Sequence, residues 1–195
     1  MSLTLVVAPD FYGRTPVLEE LTNLLIADRT IILDPYENMG YFTDRPSAHA
    51  HFTAQGGVET YGEKIFNFLE DVPPWEGKKV LLGFSAGASA LWSLGERLDG
   101  IDLCIGYYGR QIRHYTQIRP RFDTELIFPE SDPEYEVDWL ISTLLGRKKL
   151  ELKRVAGLHG FMNPLSQHWD PELARTQIRY INNRLKLLTH VGHPH

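Results

Sequence analysis

The sequence contains only one cysteine, Cys104, so no disulfide can form within the chain. A chain of this kind is typical of a reducing compartment. No apolar run reaches the roughly 18 residues that span a bilayer, and the first ten residues lack the basic flank and long apolar stretch of a secretion signal. We therefore expect a cytoplasmic protein that has no membrane partner.

An excess of basic residues is also lacking. The chain has 20 lysines and arginines against 25 aspartates and glutamates, which gives a formal net charge of −5. Nucleic-acid-binding domains usually carry a basic surface, so this composition argues against nucleic acid as a partner. No internal repeat or low-complexity tract divides the chain. A chain of this length suits one domain, which we expect to span residues 1–195.

Short apolar runs typical of buried strands alternate with stretches of helical periodicity. Because the runs are apolar on both faces, they predict an α/β fold with a mainly parallel sheet of about six strands and helices on both faces. Ligands bind beyond the carboxyl ends of such strands. The predicted strands are 3–8, 30–34, 78–84, 102–108, 124–128 and 150–155. The predicted helices are 15–27, 58–70, 86–98, 134–145 and 171–189.

One motif lies where the third predicted strand ends. Residues 83–87 read GFSAG and match G-x-S-x-G, in which a tight turn from strand to helix exposes a serine hydroxyl. The turn leaves no room for Cβ atoms beside the serine, and the helix that follows points its amide N–H groups toward it. The motif predicts Ser85 as a nucleophile, although a close-packed turn without any catalytic role would use the same residues.

A serine nucleophile needs a base, and the base needs an acid that orients it. In folds of this type the order along the chain is Ser, then Asp or Glu, then His. Glu130 and Asp132 follow the fifth predicted strand, and His159 follows the sixth. We predict the triad Ser85, Asp132 and His159, with Glu130 as the alternative acid.

An oxyanion hole requires two backbone N–H groups aimed at the developing negative charge. Ala86 follows the serine and supplies one of them. The loop after the first strand supplies the other, and Phe11 is the candidate. The alternative for this loop is an ordinary turn.

Two further segments attract attention. Arg110 begins an arginine-rich stretch that suits an anionic substrate, although such stretches are more often solvated surface. Residues 35–57, which include Tyr36, show no clear period and are long for a simple connection, so we expect them to cover the pocket. His49 and His51 form a HAH pair, but no third ligand has metal-like spacing, and no metal site is predicted.

Taken together, these motifs resemble the dienelactone hydrolase family of α/β-hydrolases over residues 4–188. The most specific parts are GYYG at 106–109 and HGFMNP at 159–164, and the stretch DFYG at 10–13 fills the family's early acidic turn. The resemblance implies an α/β-hydrolase-like fold and a hydrolase that uses no cofactor. It also implies a small-molecule acyl substrate, with contacts at Asp10, Tyr12, Tyr108 and Phe161.

The chain departs from the family at three of these positions. The founding members have a cysteine nucleophile where this chain has Ser85, and the early acid is usually a glutamate rather than Asp10. True dienelactone hydrolases grip the substrate carboxylate with an arginine at the position of Asn163. A lactone-acid substrate is therefore not predicted.

The predicted function is a serine hydrolase that cleaves an ester, thioester or related acyl compound. A serine peptidase or amidase is an alternative, because SAGA at 85–88 also resembles the turn of small dipeptidases. A hydrolase-like scaffold that binds a small ligand without turnover is the other.

Overall fold

The computed structural model describes residues 2–37, 40–71 and 76–190. Their strands form one sheet in the order β2-β1-β3-β4-β5-β6, and every neighbouring pair is parallel. The predicted six-stranded parallel sheet is confirmed. The strands are β1 (Leu3–Ala8), β2 (Arg29–Ile32), β3 (Lys78–Phe84), β4 (Leu103–Tyr107), β5 (Thr124–Ser131) and β6 (Leu150–Leu158).

Helices cover both faces of the sheet. They are α1 (Pro16–Asn23), α2 (Arg45–Ala54), α3 (Gly57–Asp71), α4 (Ala86–Ser93), α5 (Val137–Leu144) and α6 (Pro171–His190), with a short 3₁₀ helix at Arg110–His114. α1 and α6 share one core with the sheet, and α2 to α5 pack on the opposite face. Within the described ranges, no helix has the length and apolarity needed to span a membrane.

α2 lies in the segment 35–57, for which the sequence predicted no regular element, and that interpretation was wrong. The helix begins after Asp44, whose side chain accepts the N–H of Ser47, and Pro46 occupies its first turn. These are ordinary helix-start signals. The periodicity was hard to see because only Ala48 and Phe52 of the helix are buried.

The order of the strands opens a crevice at one edge of the sheet. The chain moves outward from β1 to β2 and then crosses back to β3 on the other side of β1. The loops that leave β1 and β3 therefore diverge, and ligands of open α/β sheets bind at such a point. Since Ala8 pairs with Gly83, the loop after β1 lies beside Ser85.

Candidate active site

Ser85 lies in the sharp turn between β3 and α4. Its φ of 49° and ψ of −106° are a conformation that non-glycine residues rarely adopt. The backbone is held there by its neighbours: the Ser85 N–H donates to the carbonyl of Tyr107 at 2.9 Å, and the Ser85 carbonyl accepts the Ser89 hydroxyl at 3.0 Å. Strain of this kind persists only where the surroundings enforce it.

The two glycines of the motif are needed for close packing. A Cβ atom on Gly87 would lie 2.0 Å from the carbonyl oxygen of Ala8, and one on Gly83 would lie 2.6 Å from the backbone nitrogen of Ala88. Both obstacles are backbone atoms, which cannot rotate away. The G-x-S-x-G pattern is therefore the sequence that lets α4 begin directly above the end of the sheet.

β5 and β6 bring the predicted acid and base together. The sequence predicted that these strands end at 128 and 155, but both run three residues further, and Ser131 pairs with Leu158. Asp132 directly follows the last residue of β5, and His159 directly follows the last residue of β6. They consequently lie side by side at the carboxyl edge of the sheet.

The three predicted triad residues form a continuous chain of contacts. The Oγ of Ser85 lies 2.9 Å from Nε2 of His159, and Nδ1 of His159 lies 3.1 Å from Oδ2 of Asp132. The second distance suits a hydrogen bond, but the N–H direction departs from the straight line that a good one needs. Contacts of this kind often tighten when substrate binds. Glu130 is exposed and lies outside the chain of contacts.

The electrostatics of the pair suit a general base. Burial lowers the pKa of His159 below its usual 6.5, and the neighbouring Asp132 only partly opposes this. Burial disfavours the charged form of Asp132, but hydrogen bonds from His159 and Arg110 outweigh it and lower the pKa of the carboxyl to about 2. At neutral pH the structure therefore holds a carboxylate beside a neutral imidazole.

Arg110 joins this pair from the opposite side. Its Nε donates to the same Oδ2 of Asp132 at 2.7 Å, and its guanidinium also bonds to Glu134. Glu134 in turn accepts from Arg45 of α2 at 3.0 Å. The sequence predicted Arg110 as a substrate contact, and no pattern in the sequence pointed to Arg45 or Glu134. The structure adds a bridge from α2 through Glu134 and Arg110 to Asp132.

The two predicted oxyanion donors lie at the cleft beside Ser85. In the described part of the chain, the N–H groups of Phe11 and Ala86 donate to no other protein group. The hydroxyl of Tyr36 donates to the Phe11 carbonyl and fixes the position of that loop. The oxyanion assignment itself stays a prediction.

The remaining predicted contacts fall into two groups. Asp10, Tyr12 and Tyr108 line a cleft that reaches Ser85. Tyr36 is buried beneath the Phe11 loop, and Phe161 is fully buried with its ring 5.2 Å from that of Tyr108. Neither of these two lines a cleft at Ser85, so the structure gives them a packing role.

The histidine pair of α2 also packs against aromatic rings. His49 meets Phe11 edge to face at 5.7 Å, and His51 lies 5.0 Å from Tyr36. Across the residues that the structure describes, no three His, Cys, Asp or Glu side chains are placed to hold a metal ion.

Comparison with known sequences gives one distant relative. No protein-family model matches the chain. The uncharacterized protein YczH of Bacillus subtilis is 25% identical over 185 residues, which cover 91% of this chain and 90% of YczH. This likeness extends over almost the whole chain but attaches no activity to it.

Comparison with solved structures identifies the fold. The dienelactone hydrolase-like promiscuous phosphotriesterase P91, from metagenomic libraries, superposes with a TM-score of 0.67 at 15% identity and covers 95% of this chain and 86% of its own. Est1E from Butyrivibrio proteoclasticus gives 0.65 at 9% identity, with 96% and 88% covered. Esterase PE8 gives 0.60 at 18% identity, with 96% and 92% covered. The chain therefore has the α/β-hydrolase fold, which it shares with dienelactone hydrolase-like proteins and esterases.

Proposed function

We propose that the protein is a serine hydrolase that cleaves an ester, thioester or related acyl compound. The observation that carries the proposal is the unbroken series of contacts from Ser85 Oγ through the His159 ring to Asp132, at the open edge of the sheet. The strained turn at Ser85 supports it, because it aims the hydroxyl into a cleft. The names of the structural neighbours, a phosphotriesterase and esterases, point the same way.

The first half of the reaction forms an acyl-enzyme. Ser85 Oγ attacks the acyl carbon while its proton passes to Nε2 of His159. The carbonyl π electrons move to the oxygen, which the N–H groups of Phe11 and Ala86 stabilise. Asp132 stabilises the imidazolium. The tetrahedral intermediate then collapses, and the bond to the leaving group breaks as the imidazolium proton moves to the leaving oxygen or sulfur.

The second half returns the enzyme to its starting state. His159 takes a proton from water, and the hydroxide attacks the acyl carbon of the Ser85 ester. Collapse of this intermediate breaks the acyl–Oγ bond, and the imidazolium returns its proton to Oγ. Every proton transfer in this scheme uses the same imidazole, so the scheme requires no cofactor.

The test is covalent labelling of the nucleophile. Wild-type protein incubated with a fluorophosphonate should gain the mass of one adduct, and Ser85→Ala should gain none. Ser93→Ala is a matched control, because Ser93 is the last residue of α4, with its hydroxyl bonded to the Ala90 carbonyl, and it should label normally. A folded wild-type protein that does not label, or an adduct that survives in Ser85→Ala, contradicts the proposal.

A further inference from the structure

Two clefts meet at Ser85. The first has a volume of about 290 Å³ and the second about 350 Å³. Both lie near the lower end of the range for small-molecule sites, about 300 to 1,000 Å³. The residues that line both clefts are Phe11, Arg45, Ser85, Arg110, Glu134 and His159. An acyl compound has one half on each side of the reacting carbon, so each cleft has room for one half of a small substrate.

The second cleft lies on the leaving-group side. The loop that follows His159, residues 160–168, lines this cleft and does not line the first. His159 lines both clefts, but only the second extends along the loop that follows it, so a leaving group there lies beside the ring that gives it a proton. The first cleft contains Ala86, the predicted oxyanion donor, and Phe52, Val58 and Tyr115 are among the residues that line it. The acyl group therefore belongs in the first cleft and the leaving group in the second.

The second cleft is rich in hydrogen-bonding side chains. Those that it does not share with the first cleft include Asp10, Tyr12, Thr43, Asn163, Ser166 and Gln167. The first cleft has hydrogen-bonding side chains of its own, which are His49, Thr53, Glu59, Ser89, Gln111 and Tyr115, but it has no counterpart of the Asp10 carboxylate held by Asn163. An aliphatic leaving group in the second cleft would displace water from these polar groups and offer them no hydrogen bonds in its place, which is unfavourable.

Asp10 provides a built acceptor in this cleft. Its Oδ1 accepts the N–H of Tyr12 at 3.0 Å, and its Oδ2 accepts the side-chain amide of Asn163 at 2.8 Å. Each carboxylate oxygen has capacity for a second hydrogen bond. Burial raises the pKa of Asp10 to about 6 against the effect of these two bonds. The group is thus mostly a carboxylate above neutral pH and accepts from hydroxyl groups.

The charges around the second cleft disfavour an anionic leaving group. Arg110 is bound to Asp132 and Glu134, and Arg45 is bound to Glu134. Together with Asp10, which also lines the cleft, Asp132 and Glu134 bring the number of carboxylates to three against two guanidinium groups. An incoming carboxylate or phosphate would have to displace Glu134 from its arginines and would also be repelled by Asp10.

From these contacts we infer that the substrate is an ester of a small polyhydroxylated alcohol, with its acyl group in the first cleft and the hydroxyl groups of the alcohol bound by Asp10 in the second. This inference rests on the proposed function. It specifies an uncharged, hydroxyl-bearing leaving group and excludes an anionic one.

The test compares three butyrate esters with alcohols of three carbons. They are glycerol 1-monobutyrate, propyl butyrate and 3-(butyryloxy)propanoate, which differ in hydroxyl and carboxylate content. We expect kcat/KM for the glycerol ester to exceed that for the propyl ester about tenfold or more, because a site built to bind hydroxyls disfavours the analogue that lacks them. The carboxylate ester should be the slowest of the three.

Asp10→Asn should lower the ratio of the glycerol to the propyl ester by about tenfold and reduce the disadvantage of the carboxylate ester. Asp123→Asn is the matched control, since Asp123 is exposed and precedes β5 at the opposite end of the sheet, and it should leave all three ratios unchanged. Circular dichroism and the fraction of Ser85 labelled by fluorophosphonate normalise each variant for folding.

The outcomes separate the two proposals. A ratio near one or below, a carboxylate ester that is fastest, or labelling of Ser85 without hydrolysis of any ester overturns the inference and leaves Ser85 as a nucleophile. Absence of both labelling and hydrolysis overturns the proposed function, and the inference with it. A high ratio that Asp10→Asn does not change also overturns the assignment of the hydroxyl site to Asp10.

Discussion

A buried carboxylate lies close to each end of β5, and the two differ in their surroundings. The side chain of Glu125, near the start of the strand, is 3% exposed, and that of Asp132, just past its end, is fully buried. Each carboxylate binds two basic side chains. Glu125 binds Lys153 and Arg184, and it also accepts the hydroxyl of Tyr180; Asp132 binds Arg110 and His159.

The difference between the two clusters lies in what surrounds them. The partners of Glu125 come from β6 and α6 and tie that helix to the sheet. The imidazole partner of Asp132 faces Ser85 and the two clefts. A buried carboxylate with basic partners is therefore not by itself a sign of catalysis. In a parallel sheet, only the carboxyl edge opens to a crevice, and the position along the strand decides the role.

The largest effect is expected from Asp132→Asn. An amide cannot stabilise the imidazolium and favours the wrong tautomer of His159, so kcat/KM should fall about 10³- to 10⁴-fold. Ester hydrolysis under pseudo-first-order conditions measures the loss. Glu130→Gln is the matched control and should stay within about twofold of wild type. Near-normal activity in Asp132→Asn, or a large loss in Glu130→Gln, would contradict the assignment of the acid.

Glu125→Gln should affect stability instead of activity. Removing one member of a buried ion pair typically costs about 3–5 kcal/mol. Lys153 and Arg184 are about one-third exposed, and water reduces the penalty, so we expect a loss of about 2–3 kcal/mol in the free energy of unfolding. The Tm should fall by about 5–10 °C. Urea unfolding and calorimetry measure these changes.

The same variant should keep its kcat/KM within about twofold of wild type while folded, because the clefts do not reach Glu125. An unchanged Tm would mean that the Glu125 cluster does not hold α6 to the sheet. A large loss of activity in folded protein would mean that the two ends of β5 are coupled.

The sequence predicted the contacts at the Asp132 end of β5 better than those at the Glu125 end. The turn at Ser85 has a local signature, because only glycine fits beside it. Asp132 and His159 follow apolar runs in the expected order, so their contact follows from the parallel pairing of β5 and β6. These features depend on short stretches of chain and on one rule of topology.

The remaining contacts join residues that no local pattern connects. Glu125 is a single acidic residue in the run TELIF, and its partner Arg184 lies 59 positions away. Arg45 and Glu134 are 89 positions apart. Arg45 begins α2, of which only Ala48 and Phe52 are buried, and Glu134 lies in the turn before α5. Such ion pairs depend on where the fold places two distant segments, and a local sequence pattern does not encode that.

Arg110→Gln should move the pH dependence of activity. His159 acts as a base only when neutral, so activity should fall on the acid side, with a midpoint below 6.5 because burial lowers the pKa. The Arg110 charge lowers that pKa further, whereas Asp132 and Glu134 raise it. Removing the arginine therefore raises the pKa, and the acid limb should move to higher pH.

Profiles of kcat/KM against pH for wild type and Arg110→Gln measure this shift. Arg121→Gln is the control, because Arg121 is exposed and pairs with Asp99 at 3.4 Å, and its profile should match that of wild type. A limb that stays in place or moves to lower pH in Arg110→Gln would show that the guanidinium does not influence the imidazole.

The smallest effect is expected within the Glu125 cluster, where a buried and an exposed carboxylate share one lysine. Lys153 contacts two carboxylates, and the exposed Glu151 is nearer at 2.9 Å than Glu125 at 3.3 Å. Distance alone ranks Glu151 as the stronger partner. Glu151 is 59% exposed, however, and exposed ion pairs contribute little because water screens them. Glu151→Gln should therefore change the free energy of unfolding by less than about 0.5 kcal/mol, and 1 M NaCl should abolish even that. Equal losses in Glu151→Gln and Glu125→Gln would show that proximity to the lysine, and not burial of the carboxylate, sets the strength of this cluster.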